Sequence, residues 1–275
     1  MLTLLPTPIG NIEDISLRAL RVLEEADVLL CEDTRVAKKL LHLLSERHGL
    51  KHSIEKFISL HSHNEAETLE TFDRTFFERN VVYMSDAGMP CISDPGALLV
   101  AYCQKHGVEY TVLPGPSAFA TAFAASGFTQ THFTFYGFLP HKGKERENAL
   151  QHLLGQRWPV ILYEAPHRLE KLLEELEKAV PERIIFAAKE ITKKHERFFK
   201  GTPSELKSEI TGPLLKGEWV VIVSPAEIEA ETSAISLKEI EALDLPPKQK
   251  AKLIAKLTGQ PVKECYRNLL TKANN

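Results

Sequence analysis

Apolar residues in the first half of this chain come in short solid runs, with spaced stripes between them. Residues 2–5, 28–31, 57–60, 81–84 and 109–113 are runs of strand length. Between them, Leu17, Leu20 and Leu23 recur at helical spacing behind Ser16, a suitable cap, and predict a helix to residue 25. Residues 36–45, 65–77 and 97–105 predict three more helices. Strands alternating with helical segments of this length imply parallel βαβ units. A second part starts near Pro114. There residues 133–136, 160–163, 184–188 and 220–223 predict strands, and residues 117–126, 146–154 and 168–179 predict helices. Thr202-Pro203-Ser204-Glu205 is a helix start, with Thr as cap and Glu three residues later; Thr211-Gly212-Pro213 stops that helix. The predicted organisation is an α/β domain over 1–113, a second over 114–224, a polar linker over 225–236 and a helical segment over 237–275.

Each apolar run that breaks into Gly, Pro, Ser and Asp marks a strand end. Three such loops stand out: Pro6-Thr7-Pro8-Ile9-Gly10-Asn11, Ser85-Asp86-Ala87-Gly88-Met89-Pro90 continuing to Ser93-Asp94-Pro95-Gly96, and Pro114-Gly115-Pro116-Ser117-Ala118. Open α/β sheets bind small ligands at the carboxyl ends of their strands, so three loops of this kind point to one polar ligand site. Neither Gly-x-Gly-x-x-Gly nor a Gly-Lys-Ser/Thr phosphate loop occurs, and no metal-binding His or Cys pattern is present.

With 26% charged and 43% hydrophobic residues the chain reads as an ordinary globular protein, and a net charge of −3 gives no global attraction to nucleic acid. The charge is uneven, however. From residue 248 to the end, seven Lys and Arg face a single Glu264, and Gly259 splits two helix-length stripes in the manner of a helix-turn-helix. On one reading Leu253, Ile254, Leu257, Tyr266, Leu269 and Leu270 simply pack these helices together and leave the lysines in water; the other is contact with nucleic acid. Lys248, Lys252, Lys256 and Arg267 on this segment are candidate nucleic-acid contacts. Residues 110–140 lack any Asp, Glu, Lys or Arg, but prolines and glycines interrupt them and no run suits a bilayer. Four scattered cysteines and the absence of a leader pattern suggest a cytoplasmic protein with reduced thiols.

The three loops occur in order with Glu32-Asp33-Thr34-Arg35, His63-Asn64-Glu65, Gly137-Phe138-Leu139-Pro140, Tyr163-Glu164-Ala165-Pro166-His167-Arg168, Lys189-Glu190-Ile191-Thr192-Lys193 and Lys216-Gly217-Glu218. This set resembles the ribosomal RNA small subunit methyltransferase I family, a branch of the tetrapyrrole methylases, over nearly the whole chain. The resemblance implies two α/β domains with S-adenosylmethionine in the cleft between them, 2′-O-methylation of a cytidine ribose in the decoding region of small-subunit (16S) ribosomal RNA, and a homodimer. Met89 stands where the family pattern has Thr, as does Ser16. By loop position, the resemblance implies cofactor contacts from Pro8, Ser85, Asp86, Ala87, Gly88, Pro90, Ser117, Ala118, Tyr163, Glu164, Ala165, Glu190, Gly217 and Glu218.

A weakly nucleophilic hydroxyl must lose its proton during or after attack, so a base within hydrogen-bond reach is expected. Glu190, beside Lys189, is the first candidate, followed by Glu32 or Asp33. Arg35, Lys142, Lys144, Arg146 and Arg168 are candidate phosphate contacts. Two alternatives remain open at this point: methylation of a tetrapyrrole precursor, and RNA binding without catalysis.

Overall fold

The computed structural model describes residues 1–226, 237, 240 and 243–273, without the side chains of 270–273. The solid apolar runs become strands, and the three central ones, 2–4, 28–31 and 81–84, are buried on both faces. β1 (Leu2–Leu4), β2 (Val28–Cys31), β3 (Lys56–Ser59), β4 (Val81–Met84) and β5 (Tyr110–Val112) form a wholly parallel sheet in the order β3-β2-β4-β1-β5. Successive residues serve opposite faces. Leu29, Val82 and Met84 pack with Leu23 of α1 (Leu17–Glu24) and with Leu41 and Leu44 of α2 (Thr34–His48). Leu30, Val81 and Tyr83 pack with Leu69 of α3 (Glu65–Glu70) and with Leu99 and Cys103 of α4 (Ala97–His106). A continuous apolar run is what such double coverage requires. β1 leads to β2 on one side, while its neighbour β4 leads to β5 on the other. The crevice at the carboxyl ends of β1 and β4 is therefore the switch point of the sheet.

The second sheet comprises β6 (Thr134–Phe138), β7 (Val160–Glu164), β8 (Ile185–Lys189), β9 (Arg197–Gly201) and β10 (Trp219–Val223), in the order β6-β7-β10-β8-β9. Only β6 and β7 are parallel; the other pairings are antiparallel. The charge-free segment supplies α5 (Ala118–Ser126), which packs with Ile9 on one face of this sheet. Leucines of α6 (Gly143–Leu154) and α7 (Pro166–Ala179), with Leu206 of α8 (Pro203–Glu209), cover the other.

The sequence pattern misses β9. It is an edge strand in which only Phe199 is buried, and its flanking charges erase the apolar run. The helix expected over 65–77 breaks after Glu70, because the Asp73 side chain accepts from Phe76 N–H and starts a separate 3-10 turn, Arg74–Glu78.

Residues Met1–Ala226 and Glu227–Asn275 form two separate compact units. Most of the expected linker, 227–236, lies outside the described residues. In the C-terminal unit α9 (Pro247–Thr258) ends at Gly259 in the left-handed conformation and α10 (Val262–Ala273) follows. Its core is Ile240, Ala251, Ile254, Ala255 and Cys265, with Leu269 packed beside it. Against the packing reading, Leu253, Leu257 and Tyr266 are exposed, because small Ala251 and Ala255 and the thiol of Cys265 fill the contact instead. The Leu270 side chain lies outside the described residues.

Candidate active site

The loops at the switch point are tied to one another before any ligand arrives. Thr7 and Gly88 exchange both backbone hydrogen bonds at 3.0 Å, joining the loops after β1 and β4. The Thr7 hydroxyl donates to Ser85 O at 3.3 Å and the Ser85 hydroxyl to Gly88 O at 3.4 Å. Gly88 has φ +90°, which suits glycine, and a Cβ on Gly115 would stand 2.6 Å from Pro6 Cβ, so backbone packs directly against that ring.

A cavity of about 360 Å³ lies between these loops and the second sheet. From the first sheet it is lined by Ile9, Ala87, Gly88, Met89, Ile92, Ser93 and Asp94, and from the start of α5 by Ser117 and Ala118. Phe138, Tyr163, Glu164, Ala165, Pro166, Ile191, Glu218, Trp219 and Val220 form the opposite wall. Tyr163 is fixed there, since its hydroxyl accepts from Phe119 N–H at 3.2 Å. Ser117 precedes α5 without capping it by its side chain, and its shielded hydroxyl oxygen has no hydrogen-bond partner. Such an orphan is costly in a dry protein, and a polar ligand would relieve it. Apolar walls, that hydroxyl and the backbone of two tight loops suit a ligand with an aromatic ring at one end and charged groups at the other.

Of the residues expected at the cofactor, Ala87, Gly88, Ser117, Ala118, Tyr163, Glu164, Ala165 and Glu218 line this cavity. Pro8, Ser85, Asp86, Pro90, Glu190 and Gly217 are not part of its lining. Ser85 is turned into its own loop. Asp86 accepts from Asp33 N–H at 3.2 Å and so faces the end of β2. Gly217, at φ +105°, leaves room for the Glu190 side chain, which a Cβ would approach to 2.7 Å. Ile9, Met89, Ile92, Ser93, Asp94, Phe138, Pro166, Ile191, Trp219 and Val220 are lining residues that the sequence pattern does not single out. Most fall inside or beside the quoted motifs, but only the strand pairing reveals which side chains turn inward.

The acidic groups divide into two kinds. Glu190 accepts from Glu218 N–H at 2.8 Å and from the Lys193 ammonium at 2.9 Å. Burial opposes its ionisation, but these donors win and hold it below the usual carboxylate range. Lys189 shares the face of β8 that carries Ile185 and Ala187, and its ammonium stands 5.8 Å from the Trp219 ring centroid. Asp33 is gripped by Arg35, whose hydrogen bonds pull its pKa down to about 2. Glu32, Asp86 and Asp94 form the other kind. Burial raises each of them, and mutual repulsion adds to it, through Asp86 for Glu32 and Glu32 for Asp94; Asp94 reaches about 6.

Two expected phosphate contacts are corrected. Arg146 is 2% exposed; its guanidinium donates to both Glu175 oxygens at 2.9 and 3.0 Å and to Pro140 O at 3.1 Å, and lies 3.5 Å from Glu164. Arg168 pairs with Glu164 at 2.9 Å and donates to Leu139 O at 2.7 Å. Both hold the Gly137–Pro140 turn against the end of β7, facing inward. Sequence shows that an arginine is charged but not that a carboxylate waits beneath it. Arg35, Lys142 and Lys144 are exposed, as are Lys248, Lys252, Lys256 and Arg267 in the C-terminal unit.

Solved methyltransferases share this fold. Uroporphyrin-III C-methyltransferase from Thermus thermophilus, solved in complex with S-adenosylhomocysteine, matches 80% of this chain and 96% of its own with TM-score 0.55 at 18% identity. The methyltransferase CobJ matches 82% and 94% with TM-score 0.57 at 21% identity. At these identities the likeness is one of fold. The family model for tetrapyrrole (corrin/porphyrin) methylases matches residues 1–207. Ribosomal RNA small subunit methyltransferase I of Campylobacter fetus is 47% identical over 272 residues, 98% of this chain and all of that protein. Its namesake from Helicobacter pylori (strain 26695) is 45% identical over 290 residues and the full length of both. The chain belongs to the ribosomal RNA small subunit methyltransferase I family of tetrapyrrole methylases. Among the described residues no helix is long and apolar enough to cross a membrane.

Proposed function

We propose that the protein uses S-adenosylmethionine to methylate small-subunit ribosomal RNA, and that the acceptor is the ribose 2′-hydroxyl of a cytidine in the decoding region. Identity of 47% along the whole length of a curated ribosomal RNA methyltransferase carries this reading. The bridged loops, the orphaned Ser117 hydroxyl and the apolar walls fit the cofactor. When bound, it supplies a methyl group on a positively charged sulfur. Ala87, Gly88 and Ser117 then offer backbone and hydroxyl groups to its polar end, and Ile9, Met89, Ile191 and Val220 shield the site from water. Positioning of this kind supplies much of the acceleration of a displacement reaction. The four free thiols suit the reducing cytoplasm in which such RNA is found.

The test is transfer of labelled methyl from S-adenosylmethionine to small ribosomal subunits lacking the modification, followed by nuclease digestion and mass mapping. A 2′-O-methylated cytidine is the expected product. S-adenosylhomocysteine at a hundredfold excess over its Kd is expected to add about 2.7 kcal/mol to the first unit's stability. Stabilisation without transfer to RNA would redirect the reading to a tetrapyrrole acceptor; neither effect would leave RNA binding alone.

The exposed lysines of α9 and Arg267 of α10 are proposed to contact RNA phosphates. Replacing Lys248, Lys252, Lys256 and Arg267 with Gln is expected to flatten the log–log salt dependence of RNA binding by roughly 0.7 for each phosphate released, with S-adenosylhomocysteine affinity unchanged. An unaltered slope in filter binding across a salt series would refute the assignment.

A further inference from the structure

We propose that Asp94 is the catalytic residue that takes the proton of the acceptor hydroxyl as the methyl group is transferred. The proposal rests on the methyl-transfer reading above and names a group outside the motif positions expected to act. Asp94 lines the cavity, in the loop between β4 and α4. That loop is held in an uncommon shape. Cys91 and Ser93 both adopt left-handed backbone, at φ 68° and 64°. Cys91 N–H donates to Pro95 O at 3.2 Å and Ile92 N–H to Met89 O at 3.3 Å. A Cβ on Gly137, across the cavity, would stand 2.8 Å from Ser93 Oγ, so the second sheet braces the loop from above. Non-glycine residues held in this region persist where the surroundings over-determine them, and such places concentrate at functional sites.

Groups from three elements face Asp94. Glu32 comes from the end of β2; Tyr83, Ser85, Asp86 and Cys91 come from β4 and its loop; Tyr163 comes from β7. Tyr83 provides the second, independent observation. It is fully buried, its hydroxyl has no hydrogen-bond partner, and Glu32, Glu65 and Asp94 are the carboxylates around it. Tyr83 stands behind the cavity lining rather than in it, and a buried donor left unpaired among carboxylates marks this cluster as one with an unfilled hydrogen-bonding position. Glu190, Asp33 and Glu164 are engaged by cations, Glu190 by Lys193, Asp33 by Arg35, and Glu164 by Arg146 and Arg168, while Glu32 and Asp86, raised like Asp94, do not line the cavity. A carboxylate paired with a cation is a weak proton acceptor. One that is half-buried beside other carboxylates is a stronger one, and the rise of Asp94 to about 6 still leaves it ionised at neutral pH.

In the step, a lone pair on the acceptor oxygen forms the new C–O bond to the methyl carbon. The C–S bond breaks with its electron pair going to sulfur, which becomes a neutral thioether. The oxygen, which holds three bonds and a positive charge at that moment, gives its proton to an Asp94 carboxylate oxygen, and Asp94 later returns it to solvent. No further reactant is needed.

Asp94→Asn keeps the shape and removes the basicity. Single-turnover transfer to small subunits is expected to fall by a factor of about 100 or more, with S-adenosylhomocysteine affinity within about threefold of wild type. The wild-type rate is expected to fall below about pH 6, and the variant's residual rate to lose that limb. Glu32→Gln removes the neighbouring charge and is expected to move the limb to lower pH, which a purely structural role for Asp94 would not produce. A protonated-carboxyl infrared band titrating near pH 6 should disappear in the Asp94→Asn difference spectrum, a readout independent of turnover. Wild-type rate with the acid limb intact in Asp94→Asn overturns the inference and leaves the methyl-transfer reading standing. Loss of S-adenosylhomocysteine binding overturns it too, by assigning Asp94 to the cofactor. A wild-type protein that transfers no methyl to RNA removes the reading on which it rests.

Discussion

Replacing Arg146 with alanine is expected to destabilise the protein by about 3–5 kcal/mol, among the largest effects available to a single substitution. The side chain is almost wholly enclosed, and so is that of Glu164 beneath it. Arg146 joins three parts of the second sheet: Glu175 on α7, Glu164 at the end of β7, and Pro140 O in the turn after β6. Removal leaves Glu164 with Arg168 and the Ala165 N–H, and Glu175 with the distant Lys171 ammonium at 3.8 Å. It also opens a void behind the turn that presents Phe138 to the cavity. Lysine cannot repair this, since a point charge does not reproduce a guanidinium fork that reaches two carboxylates and a carbonyl. Arg146→Lys is therefore expected to recover less than half of the loss. Urea unfolding of the three proteins at pH 7.5 measures this directly. A cost below about 1 kcal/mol for alanine would mean that the pair is no more than a solvated surface bridge. Because Glu164 and Ala165 also line the cavity, S-adenosylhomocysteine affinity is expected to fall with stability, whereas loss of an RNA-contact arginine would leave it alone.

The same arginine illustrates what the amino-acid pattern discloses and what it hides. The parallel strands are legible because a sheet covered on both faces demands solid apolar runs, as 28–31 and 81–84 show. The ligand end of that sheet is legible because Gly, Pro, Ser and Asp interrupt those runs where the chain turns. Burial of charge is not. Arg146 reads as a surface cation until Glu164 and Glu175 are brought beneath it by a strand and a helix further along the chain, and Arg168 until its helix starts over Glu164, four residues before it. The edge strand β9 is hidden by its own charges. Inside the motifs, residue type does not disclose direction: Asp86 turns toward Asp33 while Asp94, eight residues on, faces the cavity, and the difference lies in the left-handed turns at Cys91 and Ser93. The C-terminal unit is legible as two helices with excess positive charge, but the exposure of Leu253 and Leu257 depends on the small residues that fill its core.

Gly96→Ala is the second large effect expected. Gly96 follows Asp94 by two residues and opens α4 at φ 116°. An added Cβ would stand 2.5 Å from Tyr83 Cε1 and 2.9 Å from Cys91 Sγ. Tyr83 is fully buried against the sheet and has nowhere to withdraw. Left-handed backbone costs an L-residue about 1–2 kcal/mol, and overpacking adds typically 1–3 kcal/mol, so a total of roughly 2–5 kcal/mol is expected. Gly49, which ends α2 at φ 70° and where an added Cβ would meet nothing within 4 Å, provides the comparison. Gly49→Ala meets only the conformational cost, about 1–2 kcal/mol. If the two variants shift the urea midpoint equally, backbone conformation alone matters and the contact with Tyr83 does not. The consequence for the site is sharper than for stability. Gly96 N–H and Leu99 N–H both donate to the buried Glu65 carboxylate, at 3.1 and 3.0 Å, which anchors the start of α4 to α3. Displacing Gly96 loosens that anchor and the loop carrying Asp94 together. Gly96→Ala assayed well below its melting temperature is therefore expected to lose transfer rate, while Gly49→Ala, outside the cavity lining, keeps it.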